Sequence, residues 1–377
     1  MTVRPNRLNI NDIIEQPKAK QFLKSKARGS KQTEQSYSVA LSHLQKFLTE
    51  NNYQYTLESM IDALSEGKIN VYTVLDGFVG YMVDNHLSYR TISLYVAGVK
   101  SYLEYYDVEI STKKFKNKVT LPSKEKKLKE AIDANDIRNI LQACTSDRLK
   151  SFLLVLASSG MRSGEALSLR NCDIDFSSSP TRIHILAKNT KTKTERYAYI
   201  SNEASKHLKS YILGRYIDEN EYKKYPNHIV FAQQKRRTEI CNRKELYIRM
   251  QESLVQVLNK VGLSHKVDGQ NRRKITLHLL RAFVKSVVSV QTNSDFSEWL
   301  LGHSGSTYFS IKEKEKVELY RKCEPYLTFL DYATVESVGQ DFESKLQERD
   351  SQIKALRQEM ESKIAKILAK VDVEKLK

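Results

Sequence analysis

Residues 160–201 read GMRSGEALSLRNCDIDFSSSPTRIHILAKNTKTKTERYAYIS, and the order of patterns within them decides the fold. The run before them, RLKSFLLVLASS, is an apolar helix, and Gly160 suits the left-handed residue that closes one. Arg162 therefore lies just past a helix end. Two β-rich runs, Ile183–Leu186 and Tyr197–Ile200, flank a polar turn that carries Lys188, Lys191 and Lys193. That pattern predicts a β-hairpin. Helical periodicity surrounds it on both sides, so the expected class is mainly α with a small β-hairpin or sheet.

Toward the N-terminus, Tyr37, Leu41, Leu44 and Leu48 fall on one helical face. Residues 71–86 predict a second helix. Residues 90–106 predict a third, with Ile92, Val96, Val99 and Leu103 in register. No strand signal precedes residue 110. The reading is a polar arm over 1–17 and a small helical domain over 18–110. Eight lysines between 113 and 129, with one proline, predict a basic linker over 111–130 that is either solvated or a strap across a phosphate backbone. A second domain is expected over 131–335, with a helix cap at Asp133. In the tail, 338–377, the positions 342, 346, 349, 353, 356, 360, 363 and 367 alternate by four and three. They form a heptad seam interrupted by Arg349 and Lys363, which predicts a coiled-coil-like helix and self-association.

The 377 residues carry 62 Lys and Arg against 45 Asp and Glu, a net +17, which favours polyanionic partners. Four cysteines without a CxxC pair argue against a disulfide framework and against a zinc ribbon, and point to a reducing compartment. Eight histidines show no HxxxH spacing, so zinc hydrolase chemistry lacks its ligands. The first residues, MTVRPNRLNIN, lack the apolar core of a signal peptide, and no apolar run approaches a membrane span.

Cutting a phosphodiester without a metal needs three things. Fixed guanidinium groups stabilise the non-bridging oxygens. A lysine or histidine gives the leaving oxygen a proton. A tyrosine can be the nucleophile and hold the phosphate covalently. All the parts are here. His278 and Arg281 share a helical face in HLLR, His303 follows WLLG, and Tyr308 stands five residues further on.

These boxes, in this order, resemble the tyrosine recombinases, or phage-type integrases. GMRSGEAL is similar to the family's first arginine box, HLLR at 278–281 to its HxLR box, and LLGHS at 300–304 to its leucine-glycine-histidine turn. The resemblance covers about 131–332. It implies that Arg162 and Arg281 clamp the scissile phosphate and that His278 and His303 contact it. It implies Lys191 as general acid, with Lys188 and Lys193 as rivals, and Glu165 as a brace. Where many members place the nucleophile this chain has Lys312. The segment from Tyr308 resembles an archaeal branch instead, and makes Tyr308 the candidate, ahead of Tyr320, Tyr326 and Tyr332.

The resemblance implies a site-specific recombinase or integrase acting on double-stranded DNA through a 3′-phosphotyrosyl intermediate. It further implies no cofactor and no metal, a homo-tetramer on two DNA sites, no membrane, and a cytoplasmic, nucleoid-associated location. Two rivals stand beside it. A type IB topoisomerase has the same chemistry without pairing of sites. A non-catalytic DNA-binding protein has the fold alone.

Overall fold

The computed structural model describes residues 16–51, 53–124, 131–233, 238–240, 242–266, 273–303, 311–331, 336, 347–361 and 363. The chain divides into two compact units, Met1–Leu128 and Lys129–Lys377.

The first unit is helical throughout its described residues. Its helices are α1 (Pro17–Gly29), α2 (Lys31–Glu50), α3 (Leu57–Ser65), α4 (Val71–Asp84), α5 (Tyr89–Tyr105) and α6 (Thr112–Lys118). Side chains from Ser30, Thr56, Asn70, Ser88 and Ser111 cap the starts of α2 to α6, which satisfies N–H groups that have no partner inside a helix. The apolar stripes meet in one core that includes Phe22, Leu41, Leu48, Phe78, Val99 and Tyr102. Each such side chain contributes roughly 1.5–3 kcal/mol by leaving water.

The lysine-rich stretch corrects the linker boundary. Its first part is α6, and the packing continues beyond that helix. Val119 is buried in the helical core, Lys100 lies over the Phe115 ring at 4.4 Å, and the Thr120 N–H donates to Asp76 at 3.0 Å. Lysine stems cover apolar surface while their charges stay wet, so a lysine count hid an ordered segment.

The second unit opens with α7 (Ala134–Ala143), capped by Asp133, and the buried helix α8 (Asp147–Ser159). It continues with α9 (Ser163–Ala166), β1 (Ile174–Asp175), β2 (Thr181–Ile185), β3 (Arg196–Ile200), α10 (Asn202–Leu213), α11 (Glu219–Lys223), α12 (Arg243–Lys260), α13 (Leu277–Gln291), α14 (Ser294–Leu301) and α15 (Glu313–Cys323). The hairpin gains a third strand, giving an antiparallel sheet in the order β1-β2-β3, with Ile185 opposite Arg196 and Ile183 opposite Ala198. The two-residue β1 was invisible in the sequence because it is too short for alternation to register.

Glu203, on α10, accepts N–H bonds from Phe329, Leu330 and Asp331 at 2.9, 2.6 and 2.7 Å and so fixes the chain beyond α15. In the tail, residues 347–361 are helical and exposed. Among the described residues no helix is long and apolar enough to cross a membrane.

Candidate active site

The site is built where α8 and α14 end. Both helices close on a glycine in the left-handed region, Gly160 (φ 63°) and Gly302 (φ 65°). A side chain at Gly160 would collide with Leu301 and Val284, and one at Gly302 would collide with Arg196. The two turns therefore need glycine for conformation and for close approach.

Arg281 spans the gap between those ends. It sits one turn into α13, buried to 5% exposure, and donates to the carbonyls of Gly160 and Leu301, each at 2.7 Å. Burial pushes its pKa down to about 10, and the nearby Arg162 guanidinium pushes the same way. It remains charged at neutral pH. The mutual repulsion means that the two guanidinium groups share one electrostatic neighbourhood.

Arg162 stands in extended conformation at the start of α9. Glu165, one turn later and 2% exposed, accepts from the Arg162 backbone N–H and from its Nη1, each at 2.9 Å. Glu165 also accepts from Arg196 Nη2 at 2.7 Å. Two guanidinium groups thus hold one buried carboxylate, and the charge of Arg281 is felt beside them, which leaves net positive charge in a poorly solvated place. Such an arrangement suits an anion whose charge grows during reaction.

His303 follows Gly302. Its N–H donates to the Glu298 carbonyl at 3.1 Å, and its Nδ1 meets the Glu298 carboxylate. That carboxylate also holds Lys285 at 2.5 Å, and these partners, Lys285 foremost, lower its pKa. A carboxylate on Nδ1 fixes the orientation of the imidazole ring.

His278 lies three residues before Arg281, exposed on α13 while Arg281 is buried. Lys188, Lys191 and Lys193 are all exposed in the β2–β3 turn, where Thr190 bonds to Thr194. Tyr308 and Tyr332 lie outside the described residues. Tyr320 does not fit a nucleophile's place. It is fully buried, donates to the Ser158 carbonyl at 3.0 Å, and burial raises its pKa well above the usual phenol value. Tyr326 is half-buried in the turn that follows α15.

Arg196 and Glu298 were not singled out from the sequence. Arg196 carried a usable signal, because it has the same strand parity as the buried Ala198 and Ile200, and a charge on an inward face demands a partner. Glu298 lies on the same face of α14 as the turn to His303, a relation visible only once the helix end is known.

The Phage integrase family model matches residues 130–311, which contain every element of this site. Those residues belong to the Phage integrase family. Among the proteins similar to this chain, tyrosine recombinase XerA of Saccharolobus solfataricus is 28% identical over 125 residues, 33% of this chain and 39% of the relative. XerD of Rickettsia bellii is 29% identical over 167 residues, 41% of this chain and 52% of the relative. These two alignments thus span less than two thirds of the relatives' lengths. XerC of Pediococcus pentosaceus is 25% identical over 326 residues, 82% of this chain and 97% of the relative. The tyrosine recombinase fold is also that of XerH site-specific recombinase, in its pre-cleavage complex with difH substrate, at TM-score 0.52 and 18% identity over 85% of this chain and 84% of that one.

Proposed function

We propose that this chain is a site-specific DNA recombinase that cuts and rejoins strands through a 3′-phosphotyrosyl intermediate. The observation that carries this reading is the grouping of Arg162 and Arg196 on the buried carboxylate of Glu165, with the buried Arg281 close enough for Arg162 to lower its pKa. That surplus of fixed positive charge is what a phosphodiester needs on its way to a five-coordinate state. The names of the relatives agree, and XerH, which shares the fold, is a site-specific recombinase bound there to its difH substrate.

In the proposed cycle the Tyr308 oxygen attacks phosphorus and passes its proton to His278. The bond from phosphorus to the 5′ oxygen breaks, and that oxygen takes a proton from Lys191. Arg162 and Arg281 hold the non-bridging oxygens, with His278 and His303 beside them. The phosphotyrosine keeps the bond energy, so a partner strand's 5′ hydroxyl reverses the step without a nucleotide.

The helical first unit and its lysine-rich α6 are proposed to bind the same duplex, and the tail to join protomers on two sites. A chromosomal DNA substrate would keep the protein at the nucleoid.

Nicked suicide duplexes with randomised cores, mixed with the full chain, test the proposal. A denaturation-resistant adduct whose labelled peptide contains Tyr308 is the expected result. Binding without an adduct would leave a non-catalytic DNA-binding protein. Relaxation of supercoiled plasmid with no site preference would favour the topoisomerase reading.

A further inference from the structure

We propose that Arg196 is a positioning residue of this site, acting through Glu165 on Arg162 and through Gly302 on His303. The inference rests on the functional reading above and names a residue to which the proposed catalytic cycle gives no part.

Arg196 opens β3 and points inward. Its side chain is 9% exposed, against 27% for Arg162 and 1% for Glu165. Arg162 is therefore the member of the trio that reaches outward, and Arg196 lies behind it. One oxygen of Glu165 accepts from Arg196 Nη2 at 2.7 Å and from the Arg162 N–H at 2.9 Å, while the other accepts from Arg162 Nη1 at 2.9 Å. Without Arg196 the carboxylate would lose one of its two anchoring cations. It would then be free to swing, and Arg162 with it.

The other flank of Arg196 supports the turn. A Cβ at Gly302 would fall within the space of Arg196 Nε and Cδ, so the chain leading into His303 rests on the arginine's stem. One side chain thus touches both the brace of the first arginine box and the turn that carries His303.

Stability alone does not explain the residue. Its Nε and Nη1 are sealed from solvent and meet no acceptor among the described residues. Burying unpaired guanidinium donors is unfavourable, and an apolar side chain would serve packing better. Residues that break such rules mark places where function sets the choice. What Arg196 adds is fixed geometry, and a second positive charge on one carboxylate. Both favour the state in which phosphate charge is greatest.

The test uses the full chain and the duplex captured above, in single-turnover adduct formation. Arg196→Met should slow the rate by about 100-fold, while duplex affinity changes less than about threefold. Arg196→Lys, which keeps a charge against Glu165, should recover about tenfold of the loss. Adding Arg162→Lys to Arg196→Met should cost little beyond the larger single effect, since both act through one group. An unchanged rate in Arg196→Met, a loss confined to affinity, or losses that multiply in the double variant would overturn the positioning role. If Arg196→Met does not fold, Arg196→Lys gives the same split between rate and affinity. A wild-type chain that forms no adduct would overturn the functional reading and this inference with it. An adduct in wild type and an equal one in the variants would overturn this inference alone.

Discussion

The guanidinium of Arg281 donates to the carbonyl oxygen of Gly160 at 2.7 Å, joining α13 to the end of α8, and its other arm does the same for Leu301 at the end of α14. Carbonyls at helix C-termini carry partial negative charge, so the two helix ends hold the cation that they orient. Structure and site therefore share one side chain.

Arg281→Lys should damage both. An ammonium cannot span two carbonyls as a planar fork can, so one acceptor loses its charged partner. The expected loss is about 1–3 kcal/mol of stability, read from the denaturant midpoint. Adduct formation should fall by about 100-fold or more, beyond what reduced stability explains at a temperature where the variant is folded.

Gly160→Ala tests the turn that presents this carbonyl. The backbone there has φ 63°, and the added methyl would meet Leu301 and Val284. Strain and overpacking together predict a loss of about 2–4 kcal/mol. Gly164→Ala is the control, since nothing lies within 4 Å of its new methyl. It should change stability by no more than about 0.5 kcal/mol.

The tyrosine rivals separate cleanly. Tyr320→Phe removes a hydroxyl that serves only the Ser158 carbonyl in the core. The chain should lose about 1 kcal/mol and still form the adduct. Tyr308→Phe should bind duplex DNA as before and form none. The reverse pattern in gel-shift and adduct assays would reassign the nucleophile.

These residues also show how far sequence reached. Arg162, Arg281 and His303 were legible because each follows from a helix boundary, and helix ends announce themselves through glycine and spacing. Tyr320 was a live candidate only while burial was unknown, since phenols serve packing and chemistry alike. Glu165 was legible as a brace, but its second cation was not. Arg196 lies 31 residues away on a strand, and contacts across the fold leave no local period. The lysine-rich stretch misled for the opposite reason. Its charge pattern is that of a solvated linker, yet Val119 is buried in the first unit's core.

Glu298 gives a pH prediction. Its pKa lies below the ordinary 4.5, chiefly through Lys285, with His303 adding to it. A carboxylate with a lowered folded value stabilises the protein above the unfolded value, and that gain disappears as pH falls through the folded one. Wild type should therefore lose a small increment of stability below about pH 4.5, at most about 1 kcal/mol after solvent screening. Glu298→Gln should lack that increment and show a shallower acid slope in thermal melts. At neutral pH it should also slow adduct formation, because His303 loses its orienting carboxylate.

The tail yields a prediction about assembly. In the helix over 347–361, Ile353, Leu356 and Met360 are 49%, 59% and 63% exposed. They sit at successive seam positions of a repeat that alternates by three and four, the spacing that turns one stripe toward a partner helix. A second copy offers the identical stripe, which makes self-association the matching occupant. Arg349 and Lys363 fall on the same seam and weaken it, so the pairing should be modest and should act together with DNA. Truncation after residue 340 should lower the solution mass seen by light scattering, and Leu356→Glu should do so without shortening the chain. Both variants should still form the covalent adduct on a single suicide duplex, while strand exchange between two duplexes falls. A mass unchanged by either alteration would remove the tail from assembly.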